Sequence, residues 1–198
     1  MKWNRSNWIA FALLIVVSAV SRLVVFHVAG LAPQIAMAIF GAAIVKDRKW
    51  AFGLPLLSLL LSDLLMQVLF QMGALTRAGF YDGQWATYLC FAIVTLYGFL
   101  MKKINLKNIF FFSISGGLLF FLLSNFFVWI GGGGFARPLT FNGLLLCYGD
   151  ALAYYRDYGL FKGFPGNFLV GDVAWSLVLF GGYWLINKLS ITSRTQTA

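Results

Sequence analysis

The sequence predicts an all-α membrane protein: a bundle of six transmembrane helices, both termini cytoplasmic, with an outer amphipathic or lid segment between the fifth and sixth helices. Three observations carry that expectation. Of the 198 residues, 61% are hydrophobic and 18% aromatic, and the mean hydropathy of +0.83 exceeds what a water-soluble domain covers with polar surface. Apolar runs near the ~20 residues needed to cross ~30 Å of hydrocarbon recur along the chain. Lys and Arg fall in short clusters in alternate connections, where they orient a membrane protein.

Span one covers about residues 8–26. Residues 1–21 share features with a signal peptide, namely Lys2 and Arg5, an apolar run from Trp8 and the small residues of "SAVS", and we read them as a retained first span. Span two, about 28–45, is interrupted by Pro33; its clean stretch "IAMAIFGAAIV" predicts a short tilted helix starting near that proline. Spans three to six follow at about 51–70, 85–101, 109–130 and 168–187. The polar end "ITSRTQTA" is expected to fray. No repeat is visible, so residues 1–198 read as a single transmembrane domain.

Lys2 and Arg5, then Lys46, Arg48 and Lys49, then Lys102, Lys103 and Lys107, then Lys188 and Arg194 mark the cytoplasmic side. The opposite connections are sparser and mixed, with Arg77, Asp82, Arg137, Asp150, Arg156, Asp157 and Lys162. The longest of them, 131–167, opens on "GGGGFARP", a run that permits movement. It continues with Leu144, Tyr148, Leu152 and Tyr155 at helical spacing, Asp150 and Asp157 lying toward the other side. That pattern predicts an amphipathic helix that lies on the outer surface or dips back in. Trp3, Trp8, Trp50 and Trp184 read as interfacial anchors, and His27 as a wet residue at the outer end of span one.

A net charge of +9 raises nucleic acid as a partner, but the aromatic residues lie inside the spans rather than among the basic clusters, which argues against it. Cys90, Cys147 and the sole histidine show no metal or disulfide spacing, so neither metal nor cofactor is expected. Catalysis would need Ser115, Ser124 or Ser176 beside a base such as His27; Ser115, in "SISGG", sits at the opposite depth from His27, and neither HExxH nor a nucleotide loop is present. An enzyme is therefore not expected.

There is no Glu, and the six acids are all Asp. A carboxylate inside "LLSLLLSDLLMQVLF" is thus a single event that needs a reason. Converting position to depth at ~1.5 Å per helical residue puts Asp63 in the outer half of span three. Arg22 near the end of span one, Tyr88 early in span four, Asn125 late in span five and Asp172 early in span six share that level. Helical spacing joins Gln67 to Asp63, Trp85 to Tyr88, Trp129 to Asn125, and Trp175 and Ser176 to Asp172. The set predicts a pocket for a polar small molecule, with Arg22 toward an acidic group, Asp63 and Asp172 toward basic or hydroxyl groups, Gln67 and Asn125 orienting, and Tyr88 and Trp129 stacking. The plainer alternative is that Arg22 neutralises Asp63 or Asp172, although two Asp against one Arg leave a carboxylate over. Polar groups at inner depths are mostly Ser18, Ser58, Thr95, Ser113 and Ser115, too few for an ion relay.

The segments "SRLVVF", "PQIAMAIFGAAI", "PLLSLLLSDLL", "FFLLSNFFVW", "CYGDALAYYRDY" and "GNFLVGD" resemble a family of uncharacterised bacterial six-helix membrane proteins. That family is itself similar to the substrate-binding S components of energy-coupling factor transporters. The resemblance runs from about Ser21 to Gly181 and rests most on Ser62 with Asp63, on Ser124 to Trp129, and on Gly171 with Asp172. It implies a multi-pass protein of the bacterial inner membrane that captures a vitamin-like solute under outer loops, with a transmembrane coupling subunit and cytoplasmic ATPases as partners. S components dock through AxxxA on the first helix; here Ala10 and Ala12 do not make it, and Ala38 and Ala42 make it on span two. The alternative from a different class is an assembly subunit packing through small faces, Ala38, Gly41 and Ala42 on span two and Gly116 and Gly117 on span five.

Overall fold

The computed structural model describes residues 5–24, 28–132 and 136–196. His27, Trp3 and part of the glycine run lie outside the described residues, as does the side chain of Trp8. Seven helices are present among the described residues: α1 Arg5–Val24, α2 Gln34–Ile44, α3 Arg48–Gln71, α4 Gln84–Gly98, α5 Leu106–Ile130, α6 Phe141–Tyr158 and α7 Asn167–Gln196. Three of them are long and apolar enough to cross a membrane, over Arg48–Gln71, Leu106–Ile130 and Asn167–Ile186. The amphipathic helix expected within 131–167 is α6.

The helix starts follow local chemistry. Asp47 accepts from Lys49 N at 2.9 Å, Asn105 from Asn108 N at 2.8 Å and Thr140 from Gly143 N at 3.1 Å, each side chain capping an otherwise orphaned amide. Before α4, Gly83 takes φ +80°, a left-handed conformation that a Cβ disfavours.

Span two departs most from its expected bounds. With 11 residues, α2 rises only ~16 Å, and it begins directly after Pro33. The preceding chain is spent as a loop, in which Ala29 N donates to Tyr158 O at 2.9 Å. What α2 lacks in length it makes up in burial. Residues Gln34 to Gly41 are all buried, and the helix packs against α3, α4, α5 and α7, the situation of a helix that is apolar all round.

Small residues permit these close approaches. Pro55, inside α3, has no N–H to offer the Ala51 carbonyl one turn back; that carbonyl faces Gly41, where a Cβ would stand 2.9 Å from it. At Gly98 of α4, a Cβ would come within 2.7 Å of Ala42 Cβ and 3.2 Å of Ile39 Cα. Gly98→Val therefore overpacks the α2–α4 contact and should cost about 1–3 kcal/mol, read as a lower melting temperature in detergent; an unchanged value would show that the helices separate freely there.

The exterior is apolar and the interior holds the polar groups. Leu13, Val17, Val68, Phe111, Val178 and Ile186 are exposed, whereas Ser58, Ser62, Asp63, Thr95, Ser113 and Ser176 are buried. Such a surface suits hydrocarbon rather than water. At one end of the bundle the basic connections meet, Arg48 lying 5.6 Å from the Phe99 ring, with Phe52 edge-on to the same ring. At the other end lie the loop after α1, the α3–α4 loop and α6.

Candidate functional site

Asp63 is the hub of the α1–α3–α4 contact. Its Oδ1 pairs with Arg22 Nη1, while Oδ2 accepts from Gln84 Nε2 at 2.6 Å and from Tyr88 OH at 2.7 Å. Arg22 also donates to Ser62 Oγ at 2.5 Å. Gln84 reaches on to Gly79 O at 3.0 Å, and Gln67 Oε1 accepts from Gly79 N and Phe80 N at 3.1 and 3.3 Å. The carboxylate is 1% exposed, and both its oxygens are satisfied, the condition under which a buried charge is tolerated. Of the two readings open from sequence, Arg22 thus neutralises Asp63 rather than Asp172.

Beside this hub, where all seven helices contribute a residue, is a cavity of about 190 Å³ whose lining includes Arg22, Gln34, Leu59, Tyr155 and Asp172. Its apolar walls are mainly aromatic: Phe121 stacks on Phe168 at 4.6 Å, Phe91 lies 4.7 Å from Phe120, and Tyr155 lies 5.4 Å from Phe168. Asp172 and Gln34 are each 2% exposed. Among the described residues, Asp172 Oδ2 and both polar atoms of Gln34 have no hydrogen-bond partner, and neither does Ser176 Oγ one turn further along α7. Buried polar groups are nearly always paired. Among the described residues, three orphaned atoms thus gather around one cavity. Gly117 makes room for Asp172, since a Cβ there would collide with the carboxylate.

The predicted site residues separate into two groups. Arg22 and Asp172 line the cavity, with Asp63 and Tyr88 directly behind Arg22. Gln67, Asn125 and Trp129 are not on it. Gln67 holds the α3–α4 loop, Asn125 Nδ2 donates to Phe121 O of its own helix at 2.8 Å, and Trp129 Nε1 donates to Pro138 O at 2.9 Å. Trp85 is exposed and packs edge-on against Phe127, and Trp175 donates to Leu31 O at 2.8 Å. Sequence reasoning missed Gln34, whose only signal is its place after Pro33, and Tyr155, which stands on the predicted amphipathic face of α6.

The wall supplied by α6 is fastened on both sides. Arg137 forks onto Asp150 at 2.8 and 2.9 Å, and Tyr148 OH donates to Leu122 O at 3.1 Å. Burial pushes the Tyr155 phenol up to about 12, so the side chain that lines the cavity is neutral. Among the described residues no group of three His, Cys, Asp or Glu side chains is placed to hold a metal ion.

In comparison with known proteins, residues 2–194 match the model of DUF6580, described as a family of unknown function. No curated protein and no solved structure matches the chain.

Proposed function

We propose, for a chain that belongs to the DUF6580 family of unknown function, that it is the substrate-binding membrane subunit of a small-solute uptake transporter. The observation that carries this reading is the cavity with its orphaned Asp172 and Gln34 atoms, in a bundle whose other buried charge, Asp63, is fully paired. Orientation follows from charge. The basic residues of 46–49 and 102–107 mark the cytoplasmic face, and the cavity lies toward the other end, beneath α6. Six membrane segments result, α1, α2, α3, α4, α5 and α7, with α2 a short buried one and α6 a cover on the outer side of a bacterial inner membrane. A solute of vitamin-like size enters from outside, and a coupling subunit with cytoplasmic ATPases supplies the energy, since the chain has no phosphate-binding loop of its own.

The assembly alternative loses its main support, because the small faces that suggested it are occupied within the chain. Gly41 abuts Ala51, Ala42 abuts Gly98, Gly116 abuts Ile39, and Gly117 abuts Asp172.

The test is accumulation of radiolabelled vitamins and nucleobases by bacteria producing the chain, compared with Ala32→Phe, which fills the cavity from its loop. Wild type should accumulate one solute and the filled variant should not, at equal protein level. If wild type accumulates none and purifies without a bound small molecule, the transport reading fails.

A further inference from the structure

The cavity's charge balance specifies its occupant more closely. One guanidinium, Arg22, stands against two carboxylates, Asp63 and Asp172, and Arg22 is already claimed by Asp63. Asp172 forms no ion pair among the described residues and leaves one oxygen without a donor. An unmatched buried carboxylate is costly, and neutralisation by an opposite charge that also donates a hydrogen bond removes the cost. Gln34 Oε1 asks for a second donor. The surrounding rings, Phe121, Phe168, Phe91 and Phe120 among them, give the carbon skeleton of a small solute an apolar aromatic wall. The volume of about 190 Å³ is slightly more than the ~150 Å³ of a cavity that admits benzene, so one ring with a short substituent fits.

Resting on the solute-binding reading above, we propose that the solute is a single-ring or similarly small organic amine, bound protonated, with its N–H groups donating to Asp172 and Gln34 and its carbon skeleton against the phenylalanines. Arg22 does not serve as an anion receptor; it is the built-in counter-ion of Asp63. A quaternary ammonium of equal size supplies the charge but no donor, and leaves Asp172 Oδ2 unsatisfied.

Calorimetric titration of the detergent-solubilised full chain with benzylamine, benzyl alcohol, benzoate and phenyltrimethylammonium tests this, together with native mass spectrometry of the gently extracted protein. Benzylamine should bind about tenfold or more tightly than the other three, and any copurifying molecule should carry a basic nitrogen. Asp172→Asn, nearly isosteric, should abolish the preference for amine while keeping or raising the melting temperature of the ligand-free protein; a merely structural carboxylate would lower it. Gln34→Leu should weaken amine binding without reversing the preference. Tighter binding of benzoate or benzyl alcohol, or a copurifying molecule without basic nitrogen, overturns the amine assignment and leaves solute capture standing. Absence of binding by all four probes together with absence of any copurifying molecule overturns both.

Discussion

Asp63→Ala will destabilise the fold by about 3–5 kcal/mol, the cost of removing one partner of a buried ion pair. The effect is large because one substitution strands three groups. Arg22 keeps its charge with only Ser62 Oγ to receive it, and Gln84 Nε2 and Tyr88 OH lose their acceptor. Through Gln84 the damage reaches Gly79 and the α3–α4 loop. Thermal unfolding in detergent measures it, and a double replacement separates charge from packing. Arg22→Met with Asp63→Leu leaves neither charge of the pair behind and should recover the part of the loss due to the stranded Arg22, since apolar groups of similar volume often replace a buried pair at little cost, while Gln84 Nε2 and Tyr88 OH still lack their acceptor. If Asp63→Ala unfolds at the wild-type temperature, the carboxylate is not the hub of the α1–α3–α4 contact.

That hub shows how far the sequence could be read. Depth along each helix was legible, because rise per residue is fixed; it placed Arg22, Asp63, Tyr88 and Asp172 at one level, and there they meet. Counting charges was equally informative, as the surplus carboxylate expected from two Asp and one Arg is Asp172. Rotation about the helix axis was not legible. In a helix apolar on every side, the hydrophobic pattern does not say which face turns inward, and so Gln67, Asn125 and Trp129 share the level of the cavity without lining it. Span two was legible through its proline. Pro33 predicted a short helix starting there, and α2 begins directly after it; the outer bound near residue 28 was too long, because Ala29 pairs with the end of α6 in the preceding loop. Gln34 then starts the buried helix, a position that nothing in its neighbours' polarity announces.

The second large effect lies at Asn167, which is 1% exposed and holds the turn between α6 and α7 together. Its Nδ2 donates to Tyr155 O, Phe161 O and Phe164 O at 3.0, 2.8 and 2.5 Å, and its Oδ1 accepts from Phe161 N at 2.9 Å. Tyr155 O and Phe161 O also accept from Gly159 N and Phe164 N, so Phe164 O and Phe161 N are the two that rely on this amide from the first turn of α7 alone. Asn167→Leu, of similar size, strands Phe164 O and Phe161 N and removes one of two donors from Tyr155 O and Phe161 O, and at about 1–3 kcal/mol per stranded group the turn should open locally well before the bundle unfolds. Asn167→Asp should be worse still, because it keeps the acceptor for Phe161 N but turns a carboxylate onto three carbonyl oxygens. The readout is amide hydrogen exchange. Protection should fall across residues 153–166 and persist in α3 and α5, and dissociation of any bound solute should quicken, since Tyr155 rides on the released end of α6. Unchanged exchange in 153–166 for both variants would mean that α6 is held over the cavity by Arg137, Asp150 and Tyr148 at its other end, and that the cover opens from the α7 side only when the whole bundle does.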